Sequence, residues 1–135
     1  MKNKGFTLPE LLAVIVVLAL IIGIALPTYG AVSKNVKNKT YENKKSAIAI
    51  AALKYANDAN LNNSTKITAT KLILDNYYEA EEYRGETPWI TDPRDSSKNM
   101  ACQIIDITLD NHQYYTEVED NNDCNIAVNE INASK

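Results

Sequence analysis

Between residues 11 and 26 this chain has no charged or strongly polar side chain. That run limits the possible folds more than any other feature. Counted as a helix from Phe6 to Leu26, it is roughly 31 Å long at about 1.5 Å per residue, the thickness of one bilayer core. It is rich in β-branched residues (Val14, Ile15, Val16, Val17, Ile21, Ile22, Ile24). A single acid, Glu10, stands at its head. On insertion scales an acid at a helix centre is disfavoured by roughly 2.5–3.5 kcal/mol. Something must offset that, so Glu10 is a functional candidate, set against an acid merely resting at the interface near the helix start.

A secretory signal has a shorter apolar stretch followed by a small-residue cleavage site. Here the stretch is longer and runs into Leu26-Pro27-Thr28-Tyr29, so the segment is expected to stay attached. Pro9 falls in the first turn, where its missing N–H needs no partner. Pro27 removes a backbone bond to the turn holding Gly23, itself a weak helix former, so a soft or kinked stretch is expected at residues 23–27. Beyond it Tyr29, Val32, Val36, Thr40, Ala47, Ile48, Ala51, Ala52, Tyr55, Ala56 and Ala59 recur at three- and four-residue steps, an amphipathic period. One long helix is therefore expected over residues 6–59, ended by the Asn-rich stretch 57–64.

The chain has 135 residues and a net charge of −3. Residues 28–59 carry a net +4 and residues 60–135 a net −8. So acidic a head repels phosphate backbones and argues against nucleic-acid binding there. Counting basic residues near each end of the apolar run favours the far side staying in the cytoplasm, because more lysines lie there than in the leader. A disulfide between Cys102 and Cys124 points the other way, since it needs an exported head; two free thiols are the alternative. The pair lacks CxxC spacing and a histidine cluster, which argues against zinc.

Residues 68–78 read as a short helix with Thr68 as N-cap. Residues 79–84 read as solvated, and 87–93 as irregular, with Trp89 filling the core. Residues 100–109 read as a strand with Ile105, Ile107 and Leu109 on one face. Asp110-Asn111 is a turn signal, and 112–119 is the hairpin partner, with Tyr114, Thr116 and Val118 alternating. Residues 125–131 are expected to add a third strand. His112 is the sole histidine, and no P-loop, GxGxxG or nucleophile–His–acid arrangement occurs, so no enzyme or cofactor signature is present. Residues 119–123 offer Asp120 and Asp123 as a weak Ca²⁺ set without EF-hand spacing, against a solvated loop. Tyr77, Tyr78, Tyr83, Tyr114 and Tyr115 are either an adhesive surface or packing residues.

Gly5, then Phe6-Thr7-Leu8-Pro9-Glu10, then an apolar helix closely resembles the N-terminus of type IV prepilins and pseudopilins. The likeness covers residues 1–29 and continues in style to 59; Pro9 is a mild departure. It implies cleavage after Gly5 by a prepilin peptidase on the cytoplasmic face and N-methylation of Phe6. It also implies a head outside the membrane, overriding the lysine count, and a carboxylate at Glu10 that meets a neighbouring subunit's N-terminal amine in a helical filament. Gly23 and Pro27 would loosen the helix as a subunit moves from membrane to filament.

The implied organisation is a leader (1–5), an apolar helix half (6–28), an amphipathic helix half (29–60) and a globular head (61–135). The fold class is α+β, a long helix packed on a small antiparallel sheet. The implied function is a pilus subunit serving adhesion, twitching motility or biofilm formation, assembled with other pilins by the pilus machinery. The alternatives are a pseudopilin of a DNA-uptake or secretion system, or a plain signal-anchored protein that is never cleaved.

Overall fold

A computed structural model describes residues 5–121 and 124. The chain divides into two compact units, Met1–Lys37 and Asn38–Lys135. Helix α1, Leu8–Asp58, is assigned without a break through Gly23 and Pro27. It ends at Asn60, which adopts φ +49, and the Leu61 amide reaches back to the Ala56 carbonyl at 3.3 Å. This is a left-handed C-terminal stop of the kind asparagine tolerates.

The second unit is an α+β body built on the last part of α1. Strand β1 (Thr65–Thr68) leads directly into helix α2 (Ala69–Leu74). Next come β2 (Glu82–Arg84), β3 (Thr87–Trp89), β4 (Thr91–Asp92) and β5 (Asp95–Asn99), followed by a 3₁₀ turn over Met100–Cys102. The long strands β6 (Ile104–Asp110) and β7 (Gln113–Glu119) follow. β6 is the centre of an antiparallel sheet ordered β1-β6-β7; β2 pairs with β3 and β4 with β5 as separate ribbons.

The core joins Tyr41, Ile48, Ala51, Ala52 and Ala56 of α1 to Ile67, Leu72, Ile73, Ile90, Met100, Ile105, Ile107 and Val118. Alanines on the helix face let the sheet approach closely, and Ile105 and Ile107 alternate inward on β6 as its period requires. Tyr29, Val32 and Val36, expected in the packing stripe, are each more than half exposed. The buried stripe starts instead at Tyr41, where Asp120, Gln103 and Arg94 meet α1.

Several local expectations change. Thr68 does cap α2, its hydroxyl accepting the Lys71 amide at 3.3 Å. The helix stops at Leu74 rather than Tyr78, because Asn76 takes φ +61 and the Tyr77 amide returns to the Leu72 carbonyl. Residues 79–84 and 87–93 contain short paired strands. The residue filling the core there is Ile90, fully buried. Trp89 is half-buried, with the Arg84 guanidinium 3.6 Å over its ring. Residues 100–102 form a 3₁₀ turn, so β6 starts later than expected. His112 belongs to the turn, not the strand: Asn111 and His112 both have positive φ, the two-residue loop that matches the twist of a hairpin. The third strand of the sheet is β1, while the expected strand at 125–131 lies outside the described residues.

Candidate functional site

The N-terminus of α1 brings the cleavage-motif residues together. Thr7 precedes the first helical residue, and the Leu11 amide bonds its carbonyl at 3.2 Å. Glu10, three positions on, turns back, and its Oε2 accepts the Thr7 N–H at 2.9 Å. Thr7-x-x-Glu10 is thus one half of a capping box, with the carboxylate serving an otherwise unpaired amide and facing the positive end of the helix. The spacing was legible in the sequence. Gly5, Phe6, Thr7 and Glu10 line one open recess.

Every large apolar residue from Phe6 to Leu26 is at least half exposed, Phe6 by 89%. Among the described residues one helix is long and apolar enough to cross a membrane, and none of its apolar window is buried within the chain. A Cβ added at Gly5 or Gly23 would meet nothing, so no packing inside the chain demands glycine at either place. Pro27 lies within α1.

At the other predicted site Cys102 and Cys124 form a disulfide, their Cα atoms 4.6 Å apart. Beside it is a cluster that sequence reasoning missed. The Tyr41 hydroxyl donates to Asp120 Oδ1 and accepts Gln103 Nε2 at 2.9 Å. Lys45 pairs with the same Asp120 at 3.3 Å. Arg94 stacks on the Tyr41 ring, 3.2 Å from its centre, and forks onto Asp92 with bonds of 2.9 and 3.1 Å. Burial, then the hydrogen bond to Asp120, pushes the Tyr41 hydroxyl up to about 12. Burial also raises the Asp120 carboxyl, but Tyr41 and Lys45 outweigh it and hold the group below its ordinary range. Asp120 is therefore already committed to organic partners, and Asp123 lies outside the described residues. Among the described residues no group of three or more His, Cys, Asp or Glu is placed to hold a metal.

The tyrosines separate by role. Tyr77 packs edge-on against Tyr55, ring centres 5.3 Å apart, and Tyr114 donates to the Leu61 carbonyl at 2.8 Å. Tyr78 is half-buried. Tyr83 and Tyr115 are exposed.

Helix and head together define an α+β protein with a long apolar helix segment, no part of whose apolar window is buried among the described residues, and a capped acid at its start. Residues 1–26 match the family model described as the prokaryotic N-terminal methylation motif, the signature of type IV pilins and pseudopilins. That motif marks a structural protein rather than an enzyme, and implies processing by a prepilin peptidase and assembly with other pilins. No curated protein and no solved structure matches the chain.

Proposed function

We propose that the chain is a structural subunit of a type IV pilus or pilus-like filament, cut after Gly5, methylated on Phe6 and assembled through its apolar helix. The observation that carries this is the apolar run itself. Its apolar window is covered by none of the described residues, it has one carboxylate at its head, and it bears the methylation motif at its start. A permanent anchor needs neither the acid nor the motif. In a bundle of such helices the Glu10 carboxylate would meet the new amine of a neighbouring Phe6, which fixes axial register. Gly23 and Pro27 would supply the soft point for the passage from membrane to filament. The head would lie outside the cell, its disulfide suited to that compartment.

Two measurements test it. Mass spectrometry of the N-terminus should find Phe6 first and methylated; an uncut chain overturns the proposal. Glu10→Gln should keep an acceptor for the Thr7 amide yet lose the charge, so it should insert and fold but fail to enter filaments. Normal incorporation would remove the assembly role of Glu10. Deletion of the chain separates pilus from pseudopilus: on this reading surface filaments vanish while transformation and secretion continue.

A further inference from the structure

The lysines of α1 fall into two groups. Lys44 pairs with Glu81 and donates to the Thr91 carbonyl at 2.7 Å, and Lys45 pairs with Asp120. Lys54 lies over the Tyr77 ring at 5.9 Å, whereas Lys34, Lys37 and Lys39 are exposed and, among the described residues, have no ion pair. Helical spacing sets Lys34 and Lys37 apart from their apolar neighbours. Tyr29, Val32 and Val36 share one face at three- and four-residue steps; Lys34 and Lys37, three residues apart, share another, with Lys34 opposite the apolar stripe and Lys37 on its flank at about 100° from Val36, while Lys39 lies beside Val36. This stretch therefore has an apolar stripe that continues the apolar run and a basic face at Lys34 and Lys37 with no ion-paired partner among the described residues.

The outer face of the sheet has the opposite surplus. Register places Asp106 of β6 directly across from Glu117 of β7. Like charges directly opposite destabilise a strand pair. Glu119 and Asp110 extend the same face, with Tyr115 half exposed between them. Lys66 on β1 is the one cation bonded there among the described residues, reaching Glu119 at 3.2 Å and Asp106 at 3.4 Å. Glu117 has no cationic partner among the described residues.

We infer that the basic face at Lys34 and Lys37 of one copy docks on the acidic sheet face at Asp106 and Glu117 of a second copy. The two patches differ in kind, so the contact is heterologous and propagates rather than closing on a pair. It rests on the filament reading and adds to it a head-level contact, separate from the apolar helices. A cation brought to Glu117 would relieve the like-charge pair that the isolated fold tolerates.

The test counts surface filaments in cells carrying the full-length chain. Lys34→Glu with Lys37→Glu should lower their number about tenfold or more, since like charges facing each other across an interface are strongly unfavourable. Adding Glu117→Lys to that variant should restore assembly. That substitution also sets a lysine opposite Asp106, so the fold is not weakened. If the parent chain enters no filament, the function proposed above fails. If the parent assembles and the double reversal assembles equally well, the docking proposal fails and the filament reading stands. A loss that Glu117→Lys does not restore refutes the acidic face as partner. If the reversed chain instead accumulates uncut or leaves the membrane fraction, the lysines serve lipid headgroups, and the proposal is again overturned.

Discussion

Replacing Tyr41 with phenylalanine removes one oxygen and keeps the ring. The apolar contacts of α1 and the stack with Arg94 survive, so the cost comes from the groups left behind. Gln103 is only 4% exposed, and its Oε1 has no partner among the described residues. Without the hydroxyl its Nε2 loses its acceptor as well, leaving a whole buried amide unpaired at about 1–3 kcal/mol. Asp120 is half exposed and keeps Lys45, so it adds little. A loss of about 2 kcal/mol follows, and Tyr41→Phe combined with Gln103→Leu should recover most of it, because both polar partners are then gone.

The pH dependence gives a second readout. A folded hydroxyl titrating at about 12 holds its proton where the unfolded tyrosine, near 10, releases it. Its stabilisation is complete below pH 10 and is lost as pH rises toward 12, by about 2–3 kcal/mol in total. Tyr41→Phe should lack that share of the alkaline decline. The assay is urea unfolding of the detergent-solubilised chain followed by Trp89, its single tryptophan. Midpoints equal to within about 0.3 kcal/mol, with the same alkaline slope, would refute the role given to this hydroxyl.

Asn99→Ala should be comparably costly. The Asn99 side chain accepts the Ile90 and Ala101 amides, each at 2.9 Å, and donates to the Pro88 carbonyl at 3.0 Å, so its loss strands three backbone groups. About 2–4 kcal/mol is expected in the same assay. Reducing the disulfide should lower stability by roughly 3 kcal/mol in the loop-entropy account, for a sequence separation of 22, read as a urea midpoint with and without dithiothreitol. On the acid side, burial raises Glu81, but Lys44 and the Thr91 amide outweigh it and leave the carboxyl below its ordinary value. Its contribution is present above the ordinary carboxylate range, near pH 4, and is lost as pH falls below it. Glu81→Gln should flatten the fall in melting temperature between pH 5 and pH 3, roughly that range.

What could be foreseen depended on whether a residue's partner is near in sequence. The helix of α1, the inward period of β6 and the Thr68 cap are local, and each is visible in the residues. The turn at Asn111 was legible, but its second residue was not, because histidine is an unusual occupant of a left-handed position. Strand β1 is four residues against an asparagine-rich linker, and only its pairing with β6, Ile67 opposite Ile105, makes it a strand. The role of Tyr41 is not legible in the sequence, because its partners, Gln103 and Asp120, lie 62 and 79 positions away. The capping spacing at Thr7 and Glu10 is local and legible, and it gives the acid a role beside assembly.

That second role changes the energetic account of Glu10. An acid at the first turn gains about 0.3–1 kcal/mol from the helix dipole, and a hydrogen bond to a charged group is worth about 1.5–3 kcal/mol. Together these approach the roughly 2.5–3.5 kcal/mol insertion penalty. A free subunit thus needs no neighbour to offset most of the cost of the acid. The proposed cleavage behind Gly5 would leave the Thr7 amide in place, since it lies one residue inside the new terminus. In the proposed filament a neighbouring amine would compete with the bond Glu10 already makes to Thr7, and the gain from assembly would be the difference between the two, smaller than an uncapped acid would give. Glu10→Gln separates the parts, because glutamine can still cap Thr7 but offers an incoming amine no charge. If Glu10→Ala inserts as well as Glu10→Gln, the cap contributes nothing in the membrane, and the whole offset has to come from the filament.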